Sequence, residues 1–561
     1  MATHPWTAAY PAGIAWDREI PPETLPAILD QAVRRFGNRP ALEFLGRRWS
    51  YAELGRMVDR AAEGLRRLGA GPGRRVGLHL PNSPFFVVAY FAALKAGATV
   101  TSFSPLHVEA EMAAQAVDAD CRLLVTLDLD PLLPRAMALL ERADVPVERL
   151  VVARFADALP WAKGVAFRLV KARRGVKAPA EDVRITPYED LLASPPIARA
   201  PELQPEDLAV LQYTGGTTGV PKGAMLTHRN LCANLRQVNA WFIGCREGEE
   251  RTLAVIPFFH IFAMTVAMNA ALARGSEIVM LPRFEWTLLR RTLRRTRPTV
   301  FPGVPTLFKA VLDQGGTAEE LGSVKACISG GAPLPAQVKA EFERLAGCTL
   351  VEGYGLTEAA PVCFCNPLVG ENRTGTIGLP LPGVEAEIRA LDEPGRTLPP
   401  GERGELCLRG PNVMAGYWRR PEDTAAVLGA DGFLRTGDVG IMDGDGYVTL
   451  VDRIKDLILV SGFNVYPRVI EEAIYHHPDV AAATVLGMPD PYRGESPAAF
   501  VQPRPGSRLT AEALRDFLKD RLSPVEMPRL IELREELPRT VVGKLSRKEL
   551  RAELLQKTGE G

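Results

Sequence analysis

The chain has 561 residues, of which 46% are hydrophobic, and its 67 Lys and Arg balance 67 Asp and Glu. That length exceeds what one hydrophobic core supports, so two or more domains are expected. Zero net charge argues against a general nucleic-acid binder, which carries a basic excess or stripe, so any anion site must be local.

The first residues show no basic start followed by an apolar core, so no secretory signal is expected. The longest apolar runs, residues 85–94 and 261–268, fall short of the roughly 20 residues a membrane-spanning helix needs. Short apolar runs at 75–80 and 123–126 alternate with amphipathic stretches at 51–68 and 109–117, the pattern of βα units around a largely parallel sheet. Residues 159–177 place Trp161, Val165 and Leu169 on one helical face, with Lys163, Arg168, Lys171, Arg173, Arg174 and Lys177 supplying positive charge. Such a segment lies on an anionic membrane surface or packs on the body as an ordinary surface helix, and the sequence leaves both open. After about Thr376 the texture changes to short strands punctuated by Gly and Pro, as at Gly378-Leu379-Pro380 and Glu405 to Leu408. Beyond Lys455 lie about 100 residues with their own helix and strand alternation, enough for a small separate domain. The eight cysteines (Cys121, Cys232, Cys245, Cys327, Cys348, Cys363, Cys365, Cys407) show no CxxC pairing, which reads as reduced thiols of a cytosolic protein.

The densest chemical signal is Thr214-Gly215-Gly216-Thr217-Thr218-Gly219-Val220-Pro221-Lys222-Gly223. No Gly-Lys-Ser/Thr occurs there, so it is not the loop of P-loop NTPases. Its glycines let backbone N–H groups turn toward an anion, while the threonine hydroxyls and Lys222 can bond or neutralise phosphate oxygens. A polyphosphorylated ligand is expected.

This loop, with Ala224-Met225-Leu226-Thr227-His228 after it, resembles the signature of the AMP-forming adenylate ligases, among them acyl-CoA synthetases, firefly luciferase and peptide-synthetase adenylation domains. Six further motifs follow in that family's order: Pro257-Phe258-Phe259-His260, Glu352-Gly353-Tyr354-Gly355-Leu356-Thr357-Glu358, Gly404-Glu405-Leu406, Thr436-Gly437-Asp438, Asp452-Arg453-Ile454-Lys455-Asp456 and Gly543-Lys544. The fold class the resemblance implies is α/β. It comprises a large N-terminal domain of βα layers over residues 1–454, with a small β-rich subdomain at about 376–454. A small mobile α+β C-terminal domain over 455–561 would be hinged at Lys455 and carry a catalytic lysine.

The implied chemistry has two steps: a carboxylate attacks the α-phosphate of ATP to release pyrophosphate, and a thiolate then displaces AMP from the mixed anhydride. Positioning and cationic stabilisation are the protein's main tasks in the first step. By resemblance, Thr214, Gly215, Gly216, Thr217, Thr218, Gly219 and Lys222 hold phosphates, Gly331 borders the nucleotide and acyl site, and Tyr354 stacks on adenine. Thr357 contacts the AMP phosphate, Glu358 ligates Mg²⁺, Asp438 accepts from the ribose hydroxyls and Arg453 joins it. Lys544 bridges the carboxylate and the α-phosphate, and His260 lies near the acyl channel. Lys455 is the hinge, and Gly462 borders the pantetheine tunnel for CoA. Taken alone, several of these are ordinary: Gly543-Lys544 reads as a basic turn, Thr357-Glu358 as a helix start, His260 as a core histidine, and Asp438 as a turn residue.

Residues 460–467, 352–361 and 410–418 look most like bacterial long-chain fatty acid–CoA ligases. The stretches 258–264, 300–306 and 329–332 offer no charge to recognise an amino group, which favours an apolar acid over an amino acid. Medium-chain acids, delivery to a carrier protein in place of CoA, and a non-catalytic acyl-nucleotide binder are the alternatives. A cytoplasmic location, peripheral contact with the inner membrane face through 159–177, and a homodimer are compatible with the sequence. Two segments depart from related ligases: Val525-Glu526-Met527-Pro528, which reverses a charge in the C-terminal domain, and Leu106-His107-Val108-Glu109.

Overall fold

The structure, a computed structural model, describes residues 4–172, 182–214, 221–461, 463–490, 492–539 and 545–558. The chain divides into two compact units, Met1–Glu385 with Arg409–Gly432, and Ala386–Leu408 with Phe433–Gly561.

The first unit holds two sheets. In the seven-stranded one the order is Ile185–Pro187, Arg149–Ala153, Cys121–Leu127, Arg75–His79, Thr99–Ser102, Leu208–Thr214, Lys222–Thr227. Every neighbouring pair is parallel except the last. Six strands of the nine-stranded sheet are parallel, from Thr349–Gly355 across to Pro40–Phe44, with antiparallel strands at both ends. Parallel strands are covered on both faces, which is why runs such as Ala326–Ser329 are buried throughout and read as apolar blocks without alternation. The α/β expectation from the runs at 75–80 and 123–126 is borne out.

The helix Pro84–Lys95 shows why residues 85–94 are apolar without being a membrane span: every residue from Pro84 to Leu94 is buried. A helix hydrophobic all round belongs inside a large core. It starts sharply because Ser83 Oγ accepts from Phe86 N and Pro84 occupies the first turn. The second apolar run takes a less regular form. Residues Ala263–Asn269 make a π-helical stretch, all buried, whose Thr265 hydroxyl donates to Ala360 O at 2.8 Å. Such wide turns concentrate at functional sites.

The second unit contains the antiparallel sheet Glu385–Arg389, Arg403–Arg409, Leu434–Met442, Val448–Arg453, which is the β-rich texture expected after Thr376. A five-stranded sheet follows, centred on the hairpin Val480–Asp490 and Gly494–Pro503, with helices Pro467–Tyr475 and Ala511–Leu518 beside it. Val439, Val451 and Tyr466 pack together within this unit. Among the described residues no helix is long and apolar enough to cross a membrane. All eight cysteines are free, and six are buried.

Candidate active site

In the first unit the site is built at the end of the strand Thr349–Gly355, which pairs antiparallel with Val362–Cys365. Tyr354 sits there half-buried, its ring edge-on to Phe364 at 6.2 Å between centroids. Its neighbour Gly355 is required by sterics: a Cβ would lie 1.8 Å from Pro361 O. The chain then makes the single 3₁₀ turn Thr357–Ala359, where the residue types alone read as a helix start. Ala360 closes it in the left-handed region, at φ 69° and fully buried. That conformation costs a non-glycine residue about 1–3 kcal/mol and persists only where its surroundings over-determine it. Here Thr265 bonds Ala360 O, and Asn412 Nδ2 donates to Ala359 O at 2.8 Å. Glu358 therefore stands on a rigid turn.

The residues that fix this turn are ones sequence reasoning missed. The helix His228–Trp241 presents Asn230, Asn234 and Gln237 at one helical face, all buried. Asn234 Nδ2 donates to Val362 O at 2.6 Å, and Val362 N donates back to Asn234 Oδ1 at 3.0 Å. Asn230 Nδ2 bonds Pro411 O and Val413 O, and Gln237 Nε2 bonds Pro382 O. One helix thus holds the Glu358 turn and the segment 411–418. That segment continues along the edge strand Lys222–Thr227, with Met225 N bonded to Gly416 O and Trp418 N to Gly223 O, both at 2.8 Å. It brings the Tyr417 hydroxyl to Glu358 Oε1, to which it donates at 2.7 Å. Burial, then the Glu358 charge, pushes the Tyr417 phenol well above its ordinary pKa, so it remains a donor.

Lys222 opens the edge strand, opposite Thr214, and its ammonium is ion-paired to Asp423. Gly215, Gly216, Thr217, Thr218 and Gly219 lie outside the described residues. His260 is half-buried, and its Nδ1 accepts from Phe262 N at 3.3 Å. Gly331 is exposed with φ 82°, and the Phe262 ring closes on the preceding Gly330. Among the described residues no cluster of three or more His, Cys, Asp or Glu could hold a metal by itself.

The second unit carries Asp438 and Arg453 in register on neighbouring strands, with Arg453 Nε donating to Asp438 Oδ1 at 2.9 Å. Asp438 is 6% exposed. Its backbone N–H is held by Thr436 Oγ1, whose own proton goes to Leu406 O, so the Thr-Gly-Asp motif is a fixed irregularity within the strand Leu434–Met442. Lys455 is exposed within the 3₁₀ turn Ile454–Asp456. Beside it, Arg547 pairs with Asp456 at 2.8 Å and Glu471 at 2.7 Å, and burial pushes the Asp452 carboxyl up to about 6. Gly462 and Lys544 lie outside the described residues. The charge introduced by Glu526 is turned back locally, its carboxylate accepting from Ser523 N and Oγ.

These features match a known family. The AMP-binding enzyme family matches residues 29–418, and the AMP-binding enzyme C-terminal domain matches 469–544. The chain belongs to the AMP-binding enzyme family. It is 39% identical over 550 residues to a long-chain-fatty-acid–CoA ligase of Bacillus subtilis (strain 168), covering 97% of each chain. It is 37% identical over 568 residues to the ligase of that same name from Escherichia coli O6:H1, covering 98% of each. Among solved structures it resembles ATP-bound MatB from Rhodopseudomonas palustris, with a TM-score of 0.83 and 29% identity over 95% of this chain and 99% of that one.

Proposed function

We propose that the protein is an AMP-forming fatty acid–CoA ligase for long-chain acids. The observation that carries the reading is full-length similarity to long-chain ligases, joined to an acyl region around Phe258, Phe262, Ala263 and Met264 that is buried and uncharged. A fatty carboxylate oxygen attacks the α-phosphorus of ATP and pyrophosphate leaves with the electron pair of the broken P–O bond. The CoA thiolate then attacks the acyl carbonyl and AMP departs with the bridging oxygen.

Thr214 and Lys222 face the phosphates, Tyr354 receives the adenine, Thr357 the α-phosphate, and Asp438 with Arg453 the ribose. Lys544 supplies positive charge to the carboxylate and α-phosphate in the first step, and rotation about Lys455 replaces it with the Gly462 region for the second. Glu358 fits a magnesium role, because Tyr417 engages one of its oxygens and Mg²⁺ is commonly held by one or two carboxylates together with substrate phosphates. When bound, the ion neutralises phosphate charge.

The protein is cytoplasmic and collects its acid at the membrane surface through the helix Trp161–Ala172. Trp161 is 84% exposed and Leu169 67%, an apolar ridge beside Lys163 and Arg168. Both cations also have intramolecular partners, Lys163 with Leu45 O and Arg168 with Asp157, so the apolar side chains lead the contact. Residues 173–181, with Arg173, Arg174 and Lys177, lie outside the described residues.

The test is pyrophosphate and AMP release with acids from acetate to oleate, with and without CoA. CoA-dependent AMP release that peaks with long acids supports the reading. Acyl-adenylate that accumulates without CoA-stimulated turnover favours a carrier-protein acceptor, and absence of acid-dependent pyrophosphate leaves a binding protein. Co-sedimentation with anionic vesicles tests the ridge: Trp161→Glu with Leu169→Glu abolishes pelleting if it is the contact, and unchanged pelleting refutes it.

A further inference from the structure

Tyr417 stands between two groups of opposite charge. Its hydroxyl donates to Glu358 Oε1, while the Lys222 ammonium lies 5.3 Å from the centroid of its ring. The ammonium is also paired to Asp423, in the first turn of the helix Pro421–Val427. The ring itself is fixed: Tyr417 is 8% exposed, its backbone N–H donates to Thr424 Oγ1 at 2.8 Å, and Thr424 in turn donates to Arg420 O. The segment's bonding to the strand Lys222–Thr227 leaves the ring little freedom to tilt.

We propose that Tyr417 is a positioning residue that couples phosphate binding at Lys222 to metal binding at Glu358, and that Asp423 is the resting partner Lys222 leaves when a nucleotide triphosphate arrives. The inference rests on the ATP-dependent reading above.

Three physical points support it. The Lys222–Asp423 pair is partly exposed, with side-chain accessibilities of 27% and 35%, and pairs of that kind are weak. A triphosphate carries more charge than one carboxylate and displaces it. The aromatic face provides a second attraction that does not compete with phosphate, so Lys222 keeps its place on the ring as it changes partner. Finally, the Tyr417 hydroxyl is the only partner of the Glu358 carboxylate among the described residues, and it sets which way the second oxygen points. One side chain therefore holds the cation and the anion of the site in register, which neither Lys222 nor Glu358 does alone.

The experiment is calorimetric titration of ATP into the full chain, without acid or CoA, in EDTA and in Mg²⁺. The variants separate the two faces of the tyrosine. Tyr417→Phe keeps the ring and loses the hydroxyl: metal-free ATP affinity stays within about twofold of wild type, while the tightening produced by Mg²⁺ falls by about tenfold, the scale of a hydrogen bond to a charged group. Tyr417→Leu loses both, so metal-free affinity also weakens, by about threefold or more. Asp423→Asn removes the competitor and tightens metal-free ATP binding by about two- to fivefold.

Manganese binding to the ATP complex, followed by electron paramagnetic resonance, gives a readout independent of turnover: it weakens in Tyr417→Phe and Tyr417→Leu, which both lack the hydroxyl, and not in Asp423→Asn. If Tyr417→Leu does not fold, Tyr417→Phe and Asp423→Asn still decide the matter. Equal Mg²⁺ enhancement in wild type and Tyr417→Phe, or weaker ATP binding in Asp423→Asn, overturns the proposal. Wild-type protein that binds no ATP overturns the nucleotide reading itself.

Discussion

Asn234 and Val362 exchange two hydrogen bonds, side chain to backbone, across 128 residues of sequence. The pair ties the buried helix His228–Trp241 to the strand that follows the Glu358 turn. Replacing Asn234 with Leu strands both Val362 groups, at about 1–3 kcal/mol for each buried group left unpaired. Denaturant unfolding of Asn234→Leu is expected to show that loss, together with weakened Mg²⁺-dependent adenylation. Wild-type stability would mean that the two bonds are idle.

That relationship marks the boundary of what the sequence discloses. Thr357, Glu358, Asp438 and Arg453 stand out as candidates in the sequence because each sits in a contiguous motif, and at Asp438 the local conformation is held by its own neighbour Thr436. Asn230, Asn234, Gln237 and Asn412 do not, because their partners are backbone groups far along the chain, 53 residues away even for Asn412 and Ala359. The available signal was polar residues at helical spacing in a segment otherwise apolar enough to be buried. Tyr417 falls within the family-like stretch 410–418, yet its bond to Glu358 depends on an edge pairing that no periodicity encodes. The π-helical stretch Ala263–Asn269 was visible only as an apolar run, since a local change of turn width leaves no mark on an unbroken row of hydrophobic residues.

Asp438→Ala is expected to raise the KM for ATP by about ten- to a hundredfold, the range for losing hydrogen bonds to a charged group. The KM for the fatty acid should change little. Steady-state kinetics with each substrate varied in turn checks this, and a rise confined to the acid would remove Asp438 from the ribose.

Glycine at 355 is a steric requirement, whereas at 353 it is not. A Cβ at Gly355 meets Pro361 O at 1.8 Å, a backbone atom that moves only with the Glu358 turn. At Gly353 it meets Ile328 Cδ1 at 3.0 Å, the end of a flexible side chain. Gly355→Ala should abolish measurable pyrophosphate release, and Gly353→Ala should retain most of it. Equal activity in the two variants would contradict the geometry.

Burial lowers the pKa of His228 from 6.5 to about 4, opposed in part by Asp207. Its Nδ1 accepts from Leu25 N, so the folded ring is neutral. On acidification the unfolded chain takes up this proton at about pH 6.5 and the folded chain only near pH 4, so stability is fully present above pH 6.5 and falls between those values. The full loss is on the order of 3 kcal/mol. His79, lowered to about 3 by burial, adds a loss of the same sign. Denaturant unfolding across pH 7 to 4.5 should show a shallower decline for His228→Asn than for wild type. Identical slopes would place the ring's titration elsewhere.

The most direct test follows the acid's own oxygen. With oleate labelled by heavy oxygen in its carboxylate, ATP, Mg²⁺ and CoA, mass spectrometry of the products should find one labelled oxygen in AMP, with pyrophosphate unlabelled and oleoyl-CoA formed in equal amount. Label in inorganic phosphate, or oleoyl-CoA formed with unlabelled AMP, would contradict attack of the fatty carboxylate on the α-phosphate.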